Sequence, residues 1–61
     1  MPIVRVTWWQ GRTHDEKAQV AKGITEVMEA LGIPRQATQV VFEDVAKDSW
    51  ARGGTLVSDA D

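Results

Sequence analysis

Pro2 follows Met1 directly, and its small side chain is of the kind that permits removal of an initiator methionine. Removal would leave a free secondary amine at the head of the chain. Such an amine titrates near about 7.7–8.0 when unperturbed, and burial or a neighbouring cation moves it towards neutrality. A group titrating there can both take and return a proton at physiological pH. The competing reading is structural: proline serves as a rigid first residue of a strand, where its missing N–H falls outside the ladder. With Met1 retained, the same nitrogen is an inert amide. The dipeptide alone favours the structural reading, so the rest of the chain must decide.

Other reactive centres are scarce. The chain has no cysteine and a single histidine, His14, so no disulfide framework and no thiolate zinc site can be built. His14 stands just inside an expected helix start and reads as an exposed residue.

The elements that would carry Pro2 follow from periodicity. Residues 3–9 read as a strand, with Val4, Val6 and Trp8 on one face and Ile3, Arg5, Thr7 and Trp9 on the other. Gln10-Gly11-Arg12 ends it. Thr13 is a helix N-cap with Glu16 three residues on to close a capping box, and Asp15 adds a favourable charge in the first turn. Val20, Ala21, Ile24, Val27, Met28 and Leu31 then recur at helical spacing, a stripe for packing on a sheet. Gly23 weakens that helix by roughly 1 kcal/mol relative to Ala, which suggests close packing there. Gly32 and Pro34 stop the helix. A second strand is expected over 38–45, then a loop over 46–54 holding Trp50, and Gly53-Gly54 turns into the apolar piece Thr55-Leu56-Val57.

The order strand, helix, strand makes one right-handed unit with parallel long strands. The expected fold is therefore α/β: a single βαβ unit with parallel strands plus a short C-terminal hairpin, forming one domain over residues 1–61. One helix covers one face of the sheet. Nothing in the chain covers the face carrying Ile3, Thr7, Trp9, Val41 and Val45, and a bare two-stranded sheet is not viable alone. Chains below roughly 70–80 residues usually need disulfides, metal or partner subunits, and here only partner subunits remain. The sheet is thus expected to be completed by oligomerisation. Three Trp in 61 residues fit interfaces and pockets, and an interface is the expected place for Trp8.

A net charge of −2 with interspersed signs gives no nucleic-acid footprint. No apolar run approaches the length of a membrane span, and no secretory signal pattern opens the chain. The expectation is a soluble cytoplasmic protein with neither nucleic acid nor membrane as partner.

A strand opening at Pro2, Gly11-Arg12-Thr13 opening a helix, a second strand, Ala46-Lys47, Trp50 and Gly53-Gly54 follow one another over the whole length. In that order the chain resembles the 4-oxalocrotonate tautomerase family. The resemblance implies a βαβ subunit pairing into a four-stranded dimer, with three dimers forming a homo-hexamer, or a hetero-oligomer with a related chain. It also implies loss of Met1, a catalytic amino-terminal Pro2, and no cofactor or metal. The family's first arginine matches Arg12, and its pocket aromatic matches Trp50. A second arginine, early in the second strand of founding members, aligns with Gln39 once one residue is deleted near the helix end. An apolar pocket residue of founding members is replaced by Arg52.

These parts have a shared physical reading. A proline nitrogen in a pocket lined by Trp50 and Trp9 would have its ammonium form disfavoured by desolvation, and Arg12 nearby would oppose protonation further. Arg12 can also bind a substrate carboxylate through its planar fork. A surface arginine at a helix start is its ordinary role, but a cation there opposes the macrodipole. Gln39 offers a neutral hydrogen bond where a carboxylate partner would be expected, which points to a substrate with one carboxylate or to weaker turnover of a dicarboxylate. Arg52 would either restore that charge or be solvated. Arg5 is a weaker candidate for the site.

The function implied is an isomerase: enol–keto or double-bond proton transfer in a small unsaturated 2-oxo or 2-hydroxy acid. One alternative is a hydratase or dehalogenase of 3-haloacrylates; relatives with that activity use a carboxylate near the position of Arg52, where this chain has the opposite charge. Glu43 and Asp44 lie on the second strand with no reason to enter the pocket. The other alternative is a non-catalytic oligomeric module in which Pro2 only starts a strand.

Overall fold

A computed structural model describes residues 1–60. Period-two patterning rich in β-branched and aromatic residues forms β1 (Ile3–Trp9) and β2 (Gln39–Val45). They pair in parallel, in register from Ile3 opposite Gln39 to Trp9 opposite Val45. The ladder extends past both ends: the Gln39 N–H donates to the Pro2 carbonyl at 3.0 Å, and the Gln10 N–H to the Val45 carbonyl at 3.0 Å.

Between the strands runs α1 (His14–Ala30). Its capping box is complete: the Glu16 N–H donates to Thr13 Oγ1 at 3.1 Å, and the Thr13 N–H donates to Glu16 Oε1 at 2.9 Å. At the other end Gly32 adopts φ 92°. The Gly32 N–H donates to the Glu29 carbonyl at 2.9 Å and the Ile33 N–H to the Met28 carbonyl at 3.2 Å, a Schellman closure that needs a residue at home in the left-handed region. His14 is solvent-exposed, as its position implied.

The covered side of the sheet carries Val4, Val6 and Trp8 beside Val40, Phe42 and Asp44. Trp8 stacks on Phe42 at 5.2 Å between centroids and 12° between planes. Its indole N–H donates to Asp44 Oδ1 at 2.7 Å, while the Lys17 ammonium binds Asp44 Oδ2. Trp8, expected at an interface, has a role within the chain: its ring packs on Phe42 and ties β1, β2 and α1 together. The parallel register makes the difference, because it puts Phe42 and Asp44 within reach of the ring.

The helix stripe is narrower than its sequence pattern. Lys17, Val20, Ala21, Ile24, Thr25 and Met28 are half-buried, whereas Val27 and Leu31 are 62% and 75% exposed. A sheet of two strands spaced about 4.8 Å apart is no wider than one helix, so residues a quarter-turn away find nothing beneath them. Gly23 is exposed too, and a Cβ there would meet nothing within 4 Å, so close packing within the chain does not explain it.

After β2, a 3₁₀ turn over Lys47–Ser49 leads to the hairpin β3 (Ala51–Arg52) and β4 (Thr55–Leu56). Gly53 and Gly54 have φ 59° and 85°, the two positive values that a tight primed turn requires. A last 3₁₀ turn, Val57–Asp59, folds back so that the Val57 N–H donates to the Trp50 carbonyl at 2.8 Å.

Among the described residues Val57 is the one buried apolar side chain. Ile3, Val41 and Trp9 stand exposed on the uncovered face. The radius of gyration is 14.8 Å and the extents are 44 × 23 × 13 Å, where a compact chain of this length would have about 10–11 Å.

The expected solution state is accordingly an assembly of several chains. Sedimentation is the check, and a stable folded monomer would contradict the burial argument. The Lys17 ammonium first, and then the Trp8 indole, hold the Asp44 carboxyl below its ordinary value by donating to its charged form. A depressed value means stability that is present above the ordinary carboxylate range and lost as pH falls through the folded value. Asp44→Asn is therefore expected to lower Tm at neutral pH, with the deficit shrinking below about pH 4. Thermal melts across that range check it, and a deficit independent of pH counts against the ion pair as its source.

Candidate active site

The two parallel strands act as a ruler that separates the expected site residues into two groups. At the amino-terminal end of the sheet lie Met1, Pro2 and Gln39. Pro2 is locked there by the hydrogen bond its carbonyl accepts from Gln39, and the Gln39 side-chain amide donates to Met1 Sδ at 2.9 Å. Met1 is 83% exposed.

At the carboxyl-terminal end lie Trp9, Trp50 and Arg12. Trp9 leaves β1 on the uncovered face, and the turn after β2 brings Trp50 against it, edge to face, at 5.9 Å and 76°. The pairing follows from register: Trp9 stands opposite Val45, and the short 3₁₀ turn that follows returns the chain to the same corner. Lys47 places its Nζ 5.2 Å from the Trp9 ring centroid.

Arg12 leaves the loop ahead of α1 on the covered side. Its guanidinium lies over the Trp8 ring at 5.7 Å, and Nη1 faces Glu16 Oε2 at 3.7 Å. One carboxylate thus serves two tasks, since Glu16 Oε1 already accepts the capping N–H. The ion pair answers the macrodipole objection to a cation here, although exposed pairs of this kind are worth little in stability, about 1 kcal/mol at most. Trp8, Arg12, Glu16, Gln19 and Val20 line an open groove of about 410 Å³.

Seven strand residues at about 3.3 Å each separate Pro2 from Trp9 by about 23 Å. Within one chain, then, Pro2 has Gln39 beside it, Trp9 has Trp50, and Arg12 stands with neither group. A pocket holding all of them needs elements of more than one chain. Arg52 sits in β3 beside the Gly-Gly turn, exposed and paired in register with Thr55. Arg5 points to the uncovered face opposite Val41. Glu43 is held on that same face by Thr7, whose hydroxyl donates to Oε1 at 3.0 Å, and Asp44 is engaged on the other face. Among the described residues no three His, Asp or Glu side chains converge as metal ligands, and no helix is long and apolar enough to cross a membrane.

Lys47 and Glu16 were named in the sequence only as part of a motif and of the capping box, not as neighbours of the site. For Lys47 the signal lay in the register: a residue two places after Val45 must stand beside whatever faces Val45, which is Trp9. For Glu16 it lay in the i, i+4 spacing from Arg12.

A sequence model of the family described as tautomerase enzyme matches residues 2–60. A Lactococcus lactis protein named a probable tautomerase is 39% identical over 57 residues, which is 92% of this chain and 93% of that protein. A Ralstonia nicotianae protein with the same description is 37% identical over 57 residues, 92% of this chain and 88% of its own. Among solved structures, a 4-oxalocrotonate tautomerase homologue matches with a TM-score of 0.89 and 34% identity, over 100% of this chain and 98% of that one. The likeness runs through the βαβ unit and the hairpin together, and the chain belongs to the tautomerase family.

Proposed function

We propose that the protein is an isomerase that moves a proton within a small unsaturated 2-oxo or 2-hydroxy acid, with Pro2 as general base and acid. The observation that carries this reading is the anchoring of Pro2. Its carbonyl is held in the β1–β2 ladder by Gln39 at 3.0 Å, so loss of Met1 would leave a secondary amine at a fixed point on the sheet end. Loss of Met1 would also release the Gln39 amide from the methionine sulfur, leaving a hydrogen-bond donor beside that amine. Family membership supports the same reaction class.

In this reading the Pro2 nitrogen accepts the hydroxyl proton of an enol as its C–O bond becomes a carbonyl. The displaced π electrons form a C–H bond at the terminal carbon of the conjugated system, which takes a proton back. The overall change is an isomerisation, so no co-reactant is consumed. Arg12 and the Trp9–Trp50 corner come from other chains, because the strand length keeps the chain's own Trp9 about 23 Å from its Pro2 and its Arg12 lies with Trp8 on the opposite face of the sheet. Oligomerisation would then build the site as well as the core, in a hexamer of like chains or with a related chain. Arg12 binds the substrate carboxylate as a bidentate fork and stabilises negative charge as it develops. The indoles exclude water and disfavour the ammonium form of Pro2. Gln39 donates a neutral hydrogen bond, and Arg52 borders the pocket from the hairpin.

Intact mass is expected to show Met1 absent. Pro2→Ala is expected to reduce kcat/KM for ketonisation of 2-hydroxymuconate or phenylenolpyruvate by about 100-fold or more. A retained Met1, or a variant equal to the parent, would sink the proline mechanism and favour the non-catalytic module.

Gln39→Arg tests the charge at the amino-terminal end. Replacing a neutral hydrogen bond by a charge-assisted one is worth about 1–1.5 kcal/mol. The variant is expected to gain about tenfold in kcat/KM on the dicarboxylate and little on the monocarboxylate. Equal gains on both would show that Gln39 does not read charge.

A further inference from the structure

We propose that Lys47 is a second cation, acting beside the Arg12 fork, that recognises the carboxylate of a planar, unsaturated acid bound in the corner between Trp9 and Trp50. The inference rests on the reading of that corner as a pocket wall and adds the ligand class and a specificity residue to it.

The distribution of unspent charge points to Lys47. Three of the cations are engaged: Arg12 with Glu16 at 3.7 Å, Lys17 with Asp44, and Arg35 with Glu29 at 2.8 Å. Arg5, Lys22, Lys47 and Arg52 form no ion pair among the described residues. Of these four, Lys47 is the one whose ammonium stands over an aromatic ring, 5.2 Å from the centroid of Trp9. A cation held on an indole face without a protein carboxylate keeps its charge available to an incoming anion.

The shape of the corner sets the rest of the ligand. Trp9 and Trp50 meet at 76° with centroids 5.9 Å apart. A flat conjugated group can lie on one ring while meeting the edge of the other, which are the two arrangements aromatic quadrupoles favour. Trp9 is 36% exposed within the single chain, so its ring has surface to give to a pocket that a neighbouring chain completes. A bulky tetrahedral group would lose one of those contacts. The corner therefore selects flatness, and Lys47 selects a single negative charge beside the flat group. Arg52 sits beyond the corner on the hairpin and has no aromatic surface to hold it.

Binding can be separated from turnover with trans-cinnamate, a flat unsaturated acid with no enol to ketonise, and its uncharged amide, cinnamamide. The readout is the indole N–H signals of the ¹⁵N-labelled assembled protein. Trp9 and Trp50 are expected to shift with cinnamate while Trp8, whose N–H is engaged by Asp44 at 2.7 Å, stays still. Cinnamamide is expected to bind about tenfold more weakly. Lys47→Met keeps the stem and removes the charge, and should weaken cinnamate by about tenfold while leaving cinnamamide unchanged. Lys47→Arg keeps a cation on the indole face and should retain the preference for cinnamate over cinnamamide.

Cinnamate binding unchanged in Lys47→Met would overturn the proposal, as would no binding, or shifts centred on Trp8 from a ligand in the Trp8–Arg12 groove. If Lys47→Met disturbs the assembly in sedimentation, the acid–amide difference and Lys47→Arg decide the matter: equal acid and amide affinities in the parent overturn it. Pro2→Ala, run in parallel, should bind cinnamate as the parent does. Loss of turnover without loss of binding separates a failure of the proton-transfer reading from a failure of this one.

Discussion

The structure depends on a shortage of cover. A parallel pair of strands with one helix can hide one face of its sheet, and the second face has no element in the chain to meet. Val57 is the single buried apolar side chain among the described residues, while Ile3, Val41 and Trp9 face outwards on the sheet and Val27 and Leu31 on the helix. With no cysteine for a disulfide, apolar burial against other chains is the remaining source of the hydrophobic stabilisation that a domain needs. The elongated shape follows from the same shortage, since the hairpin reaches past the βαβ unit instead of closing over it.

Within that thin frame, local chemistry is strongly specified. The capping box, the Schellman closure and the two positive-φ glycines of the hairpin each satisfy backbone groups that would otherwise be orphaned. The Trp8–Asp44–Lys17 tie then fixes helix to sheet with one carboxylate bridging two strands and α1. These interactions set the geometry of a subunit whose apolar surface is left unsatisfied. The subunit is closely specified in its local geometry and poor in core.

Charge is arranged sparingly around the proposed site. Arg12 is already balanced by Glu16 and rests on Trp8, Gln39 is neutral, and Lys47 lies on an indole face. An anion entering the proposed site would meet oriented but few cations, an arrangement that suits the proposed one-carboxylate substrate. In the proposed reading the same economy would suit a base that must be neutral before it acts, because indoles and a guanidinium around the amine would disfavour its ammonium form.

The sequence by itself determined the elements and their kinds. Alternation at 3–9, the Thr13–Glu16 box, the Gly32 stop and the Gly53-Gly54 turn are local signals, carried by hydrogen bonds between near neighbours, and so are readable from spacing. Pro2, Arg12 and Trp50 were legible as candidates only through the family resemblance that the order of their motifs carries. Tertiary structure alone decided which of them share space. The parallel register sent Trp8 into the covered face against Phe42 and Asp44, set Trp9 against Trp50 and brought Lys47 over Trp9, while the strand's length left Pro2 at the far end from that corner. Those outcomes depend on residues some forty positions apart coming into register. No local pattern encodes a distance between elements, and a seven-residue strand is rigid enough to enforce one.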